Sequence, residues 1–106
     1  EERMSKLGND QRNFAKYFPL LIMYAHLKGY KVTFPKEHTN HIDNSYHFDG
    51  RAKDINLFKG GKFLRETKDH LPLGLFWEFL GGTWGGRFGI AEEDKDGNHD
   101  SWGEKR

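Results

Sequence analysis

Residues 45–58 read SYHFDGRAKDINLF, and the fold follows from how this stretch is laid down. Asp49-Gly50 is a tight-turn signal, because glycine takes positive φ freely and aspartate tolerates turn conformations. From Ala52 the residues alternate as in a strand, where successive side chains point to opposite faces. Ala52, Asp54 and Asn56 share one face, and Lys53, Ile55 and Leu57 share the other. With Ile55 and Leu57 in the core, the Asp54 carboxylate stands on the open face. The turn can then fold His47 back beside Asp54.

A histidine and a carboxylate on a rigid frame are two parts of a metal site, and a third is sought at long range. His99, in the DGNH stretch near the C-terminus, supplies it. Catalytic zinc takes three protein ligands from His and Asp/Glu and keeps a fourth position for water. His47, Asp54 and His99 make such a set. Asp96, three residues before His99, is the candidate general base.

The bulk numbers fit a small enzyme or binding domain. The 106 residues allow one domain, 1–106, whose modest core can draw on three Trp, four Tyr and nine Phe. Seventeen basic against sixteen acidic residues leave a formal charge of +1, which gives no electrostatic reason to expect nucleic acid or an anionic membrane as partner. Without cysteine there are no disulfides or thiolate ligands, so any metal rests on His and carboxylates. The opening EERMSKLGND lacks the apolar segment of a signal peptide, and no run approaches the ~18 apolar residues of a membrane span.

Residues 1–8 are charged and expected to be frayed. From Asn9 to Leu27 the apolar residues Phe14, Phe18, Leu21, Ile22 and Ala25 recur at helical spacing. Asn9 or Asp10 is expected to cap this helix and Gly29 to end it, with Pro19 kinking or dividing it. YKVTF, 30–34, reads as a strand stopped by Pro35. The polar segment 35–44 carries His38 and His41, expected to form a lip over a cleft. Lys59-Gly60-Gly61-Lys62 is a hairpin turn with Phe63-Leu64-Arg65 returning. A second helix starts near Asp69 and carries Leu73, Phe76, Trp77 and Leu80 as a core stripe, ending at Gly81-Gly82. His70 is expected at the surface or as a support behind the ligands. GGTWGGRFG, 81–89, lacks the context of a phosphate-binding loop and suits a chain passing tightly by a cleft before the strand that carries His99. DKDGN, 94–98, opens like a calcium-binding loop, but His99 occupies the position that requires glycine and Lys105 the position that requires glutamate.

Taken together, Ser45-x-His47, Gly50, Ala52, Asp54, GGTWGGRFG and Asp96-x-x-His99 resemble the zinc-dependent peptidoglycan peptidases of the L-alanyl-D-glutamate peptidase and D-alanyl-D-alanine carboxypeptidase family, notably the phage endolysin branch. The resemblance spans nearly the whole chain, including DINLF, KGGKFL and DHLPLGLFWEFL. It implies a small α+β domain of hedgehog/DD-peptidase-like type, an antiparallel sheet flanked by helices with Zn2+ in a groove across it. It implies zinc held by His47, Asp54 and His99, Asp96 as base, and Ser45 bonding to substrate or to the site wall. The family's arginine in the loop after the first strand is missing from 34–44; Lys36, Arg51 or Arg87 could replace it, and Arg87 is favoured because it follows the glycine turn near the cleft.

The expected function is that of an endolysin, a metallopeptidase hydrolysing the stem peptide of bacterial peptidoglycan at the L-alanyl-D-glutamate bond. A D-alanyl-D-alanine carboxypeptidase and a non-catalytic cell-wall-binding module are the alternatives. The expected protein is a monomer made in the host cytoplasm that reaches the cell wall after release, without inserting in the membrane.

Overall fold

In the computed structural model, residues 2–36, 46, 49–89 and 91–105 are described. They build an α+β arrangement of two helices and two three-stranded antiparallel sheets. The elements run α1 (Glu2–Leu27), β1 (Lys31–Thr33), β2 (Ala52–Asp54), β3 (Asn56–Lys59), β4 (Lys62–Leu64), α2 (Leu71–Leu80), β5 (Thr83–Trp84) and β6 (His99–Ser101). One sheet has the order β1-β3-β4 and the other β2-β6-β5. The single sheet expected from the sequence is therefore two.

The division falls inside the stretch that alternates. β2 ends at Asp54 and β3 begins at Asn56, so Ile55 is the only residue between strands of different sheets. Its N–H donates to the Asn98 carbonyl at 3.0 Å, which fixes the crossing point. The expected alternation survives at Ile55 and Leu57, 1% and 0% exposed, while Asp54 and Asn56 keep partial solvent contact. Ala52 departs from it and is buried.

α1 starts at Glu2 rather than near Asn9, so residues expected to be frayed are helical. Glu, Arg, Met and Lys in the first turns are good helix formers, and Lys6 pairs with Asp10 one turn on at 2.8 Å. Asp10 is thus no cap. It is a buried carboxylate that also accepts from Arg51 Nη1 at 3.2 Å. α1 runs on through Pro19 as one helix, its apolar face held on the core by Leu21 and Ala25, both fully buried. It ends as expected at Gly29, where Gly29 N–H donates to His26 O and Tyr30 N–H to Ala25 O.

The hairpin also forms as read. Lys59 pairs with Lys62 across Gly60 and Gly61, whose φ values of 59° and 77° suit the tight turn with two left-handed centres. Before α2, Thr67–His70 make a 3₁₀ turn, and Asp69 reaches back to the Glu66 N–H at 3.2 Å, so it secures this turn rather than capping α2. Leu73 and Trp77 of α2 are buried, with Phe76 and Leu80 packed at their margin. Trp77 meets Phe14, Phe18 and Trp102 edge-on, so one indole joins α1, α2 and the chain after β6.

Arg51 ties Tyr46 and Asp49 to α1 and to the C-terminal segment. It holds Asp49 with two hydrogen bonds of 2.9 and 2.7 Å, lies 3.6 Å from the Tyr46 ring centroid, and its carbonyl accepts from Trp102 N–H. Arg51→Leu removes the guanidinium from two carboxylates at once. We expect a stability loss of about 1.5–3 kcal/mol, the usual worth of hydrogen bonds to charged groups, measured by urea unfolding.

Candidate metal centre

The strand register brings Asp54 and His99 together. β2 and β6 are antiparallel partners with Asp54 opposite His99, so residues 45 positions apart share a rung of the ladder. His99 Nδ1 lies 3.3 Å from Asp54 Oδ1 and 4.0 Å from Asp96 Oδ2. Asp54, Asp96 and His99 each offer one ligand atom, all within 4.8 Å of one another, and form a possible metal-binding group. Donors around a tetrahedral zinc ion at ~2.0–2.2 Å stand ~3.3–3.6 Å apart, so the widest pair would have to draw in by about 1 Å to close the set on an ion.

Asp96 and His99 are held by the backbone of the loop between them. Asp96 N–H donates to Gly85 O at 2.9 Å, His99 N–H to Asp96 O at 3.0 Å, and Trp84 Nε1 to Gly97 O at 2.7 Å. Gly85 has to be glycine: a Cβ there would stand 2.1 Å from the Asp96 carbonyl oxygen and 2.9 Å from His99 Cβ. The glycine-rich stretch therefore does what its composition suggested. It also supplies β5, a strand not read from the sequence, which pairs with β6 and leaves β6 central in its sheet.

Glu104 completes the surroundings of His99, and sequence reading missed it. Its Oε1 lies 2.6 Å from His99 Nε2, and its carbonyl accepts from Thr83 Oγ1 at 2.7 Å. A metal-ligating histidine characteristically donates its other ring N–H to a carboxylate, which fixes tautomer and orientation. Here Glu104 takes Nε2–H, leaving Nδ1 towards Asp54 and Asp96. The donor chemistry thus fits a divalent cation bound on the Nδ1 side. The Trp102-Gly103 turn that folds Glu104 back onto His99, with Gly103 at φ 87°, is the one signal in the sequence that could have pointed to it.

No family model, no curated protein and no solved structure matches this chain.

Other residues singled out from the sequence fall as follows. Ser45 and His47, and with them His38 and His41 of the expected lip, lie outside the described residues. Arg87 is exposed and forms a two-point pair with Glu78, at 3.0 and 3.1 Å, beside the Trp84 ring. A substrate carboxylate would have to compete with Glu78 for it. Asp94 is exposed and outside the group of three. His70, expected at the surface or behind the ligands, is 3% exposed, with its Nε2 3.1 Å from Leu64 O. Burial lowers its pKa, so it is a neutral imidazole in the wall of a neighbouring cavity.

Without a metal, His99 is a strong proton holder. Burial works against its charge, but the hydrogen bonds to Asp54 and Glu104 outweigh burial and raise its pKa to about 10. Asp100 beside it is fully buried and, for that reason, held well above the usual carboxylate range. The His99 pKa is higher in the folded chain than in the unfolded one, where it lies near ~6.5. Its contribution to stability is therefore complete below ~6.5 and is lost as pH rises towards 10. Urea midpoints of metal-free protein at pH 6 and pH 9 should show the loss, and His99→Gln should remove most of that difference.

Proposed function

We propose that this protein is a zinc-dependent peptidase of bacterial peptidoglycan, with a hedgehog/DD-peptidase-like fold, that cuts the stem peptide at the L-alanyl-D-glutamate bond as a phage endolysin does. The observation that carries this reading is the meeting of Asp54, Asp96 and His99 across 45 positions of sequence, with Glu104 behind the histidine. The order of Ser45-x-His47, Asp54, the glycine-rich stretch and Asp96-x-x-His99 adds the resemblance to that family.

Asp54 and His99, on paired strands, would hold the ion, with His47 as the third ligand. When bound, zinc lowers the pKa of water towards neutrality and polarises a carbonyl. Glu104, accepting Nε2–H, would hold His99 in the tautomer that presents Nδ1 as the coordinating atom. Asp96, the most exposed of the three at 52% of its side chain, takes the proton of the attacking water and returns it to the leaving amine. Ser45 hydrogen-bonds the substrate, and Arg87 can bind its carboxylate by exchanging Glu78.

The test is metal content together with release of free amino groups from purified peptidoglycan, with and without a chelator. About one zinc per chain and chelator-sensitive release are expected. Zinc with no release would sink the peptidase reading and leave a wall-binding module. Release of terminal D-alanine alone would make the protein a carboxypeptidase.

A further inference from the structure

A cavity of about 180 Å³ adjoins the metal-binding group, bordered by β4, the 3₁₀ turn before α2 and the loop leading to β6. Asn56, Arg65, Thr67, Lys95, Asp96 and Asn98 line it. Asp96 belongs to both places: it lines the cavity and is part of the Asp54–Asp96–His99 group. A group seated in the cavity therefore lies one side chain away from the proposed chemistry.

The lining has a definite charge preference. Among the described residues, Arg65 and Lys95 have no carboxylate partner, whereas Arg51 and Arg87 are both paired with acids. Arg65 is steadied instead by the Phe63 ring, 5.8 Å from its guanidinium carbon. Two cations and one carboxylate therefore border the cavity. Asn56, Asn98 and Thr67 add neutral hydrogen-bonding groups. His70, in the same wall, is neutral with Nε2–H given to Leu64 O, and its Nδ1 has no partner among the described residues. The volume is enough for one acidic amino-acid side chain.

We infer that this cavity is the carboxylate-recognition pocket of the substrate site, with Arg65 and Lys95 as the specificity-determining cations. The inference rests on the peptidase reading for its substrate class. It gives a place to the substrate carboxylate that does not depend on Arg87 leaving Glu78. Arg65 and Lys95 are specificity residues and not catalytic ones, since they face the bound group rather than the bond that breaks.

The experiment compares two stem peptides that differ in one group: a free carboxylate on the residue following the scissile bond, or its carboxamide. Steady-state kinetics are measured for the zinc-loaded wild type, R65Q, K95Q and the double variant, with circular dichroism to confirm folding. Equilibrium binding of both peptides is measured in parallel on the zinc-loaded proteins carrying Asp96→Asn, where turnover does not interfere. The wild type should favour the carboxylate peptide by roughly tenfold or more in KM and in binding, the scale of one charge-assisted contact. In the double variant that preference should vanish with kcat little changed. Equal binding of both peptides by the wild type, no binding of either, or a preference that survives in the double variant overturns the inference. Selective binding without hydrolysis would retain the pocket and reject the peptidase, whereas hydrolysis without selectivity would retain the peptidase and reject the pocket.

Discussion

On the proposed peptidase reading, Asp96→Asn is expected to lower turnover by about 10²–10⁴-fold, the usual range for loss of a general base, with zinc binding retained. The substitution is conservative where it matters structurally. Asp96 is held through its backbone, by N–H to Gly85 O and by its carbonyl from His99 N–H, and asparagine keeps both bonds. It loses the carboxylate's negative charge and with it the ability to take a proton. Asp54 and His99, at 33% and 7% side-chain exposure, are set deeper than Asp96, and Asp54→Asn should instead cost the metal itself. Metal analysis and initial rates on both variants separate the two roles. Zinc lost along with activity in Asp96→Asn would make Asp96 a ligand, and full activity there would move the base elsewhere.

Trp77→Ala should cost about 3–5 kcal/mol, the range for truncating a buried aromatic. That is a large part of the ~5–15 kcal/mol that holds a domain of this size together. The indole is fully buried, touches the rings of Phe14, Phe18 and Trp102, and donates Nε1–H to Ser101 O at 2.9 Å. Because Ser101 is the last residue of β6, the loss reaches the strand that carries His99. Trp77→Phe isolates this link: it keeps most of the ring packing and leaves the Ser101 carbonyl without its donor, for about 1–3 kcal/mol. Urea unfolding followed by far-UV circular dichroism measures both, and a Trp77→Ala midpoint equal to wild type would contradict the packing described.

What was legible in the sequence was what local chemistry dictates. Gly29 and Gly81 end their helices, Gly60-Gly61 turns the hairpin, and Ile55 and Leu57 enter the core, because each needs only neighbouring residues or a two-residue period. The pairing of Asp54 with His99 could be anticipated as chemistry but not as register, which is set when β6 docks on β2. The change of sheet at Ile55 could not be read. Alternation continues unbroken through it, with no glycine or proline to mark a bend, and only the bond to Asn98 O reveals the crossing. Asp10 was misread for the opposite reason. Its type suggests a cap, but Lys6 and Arg51 make it an internal ion-pair partner, and Arg51 lies far away in sequence. Glu104 escaped because a carboxylate five residues beyond a histidine has no regular spacing to announce it.

The position of β6 sets the order in which the protein can become competent during synthesis. It is the central strand of its sheet yet the last of the described strands to be made. Until it arrives, β2 and β5 have no common neighbour, and Asp54 faces neither His99 nor Asp96. Closing so long a loop is among the later events of folding. The Asp54–Asp96–His99 group would thus be completed only when β6 is drawn in between β2 and β5, two strands made before it.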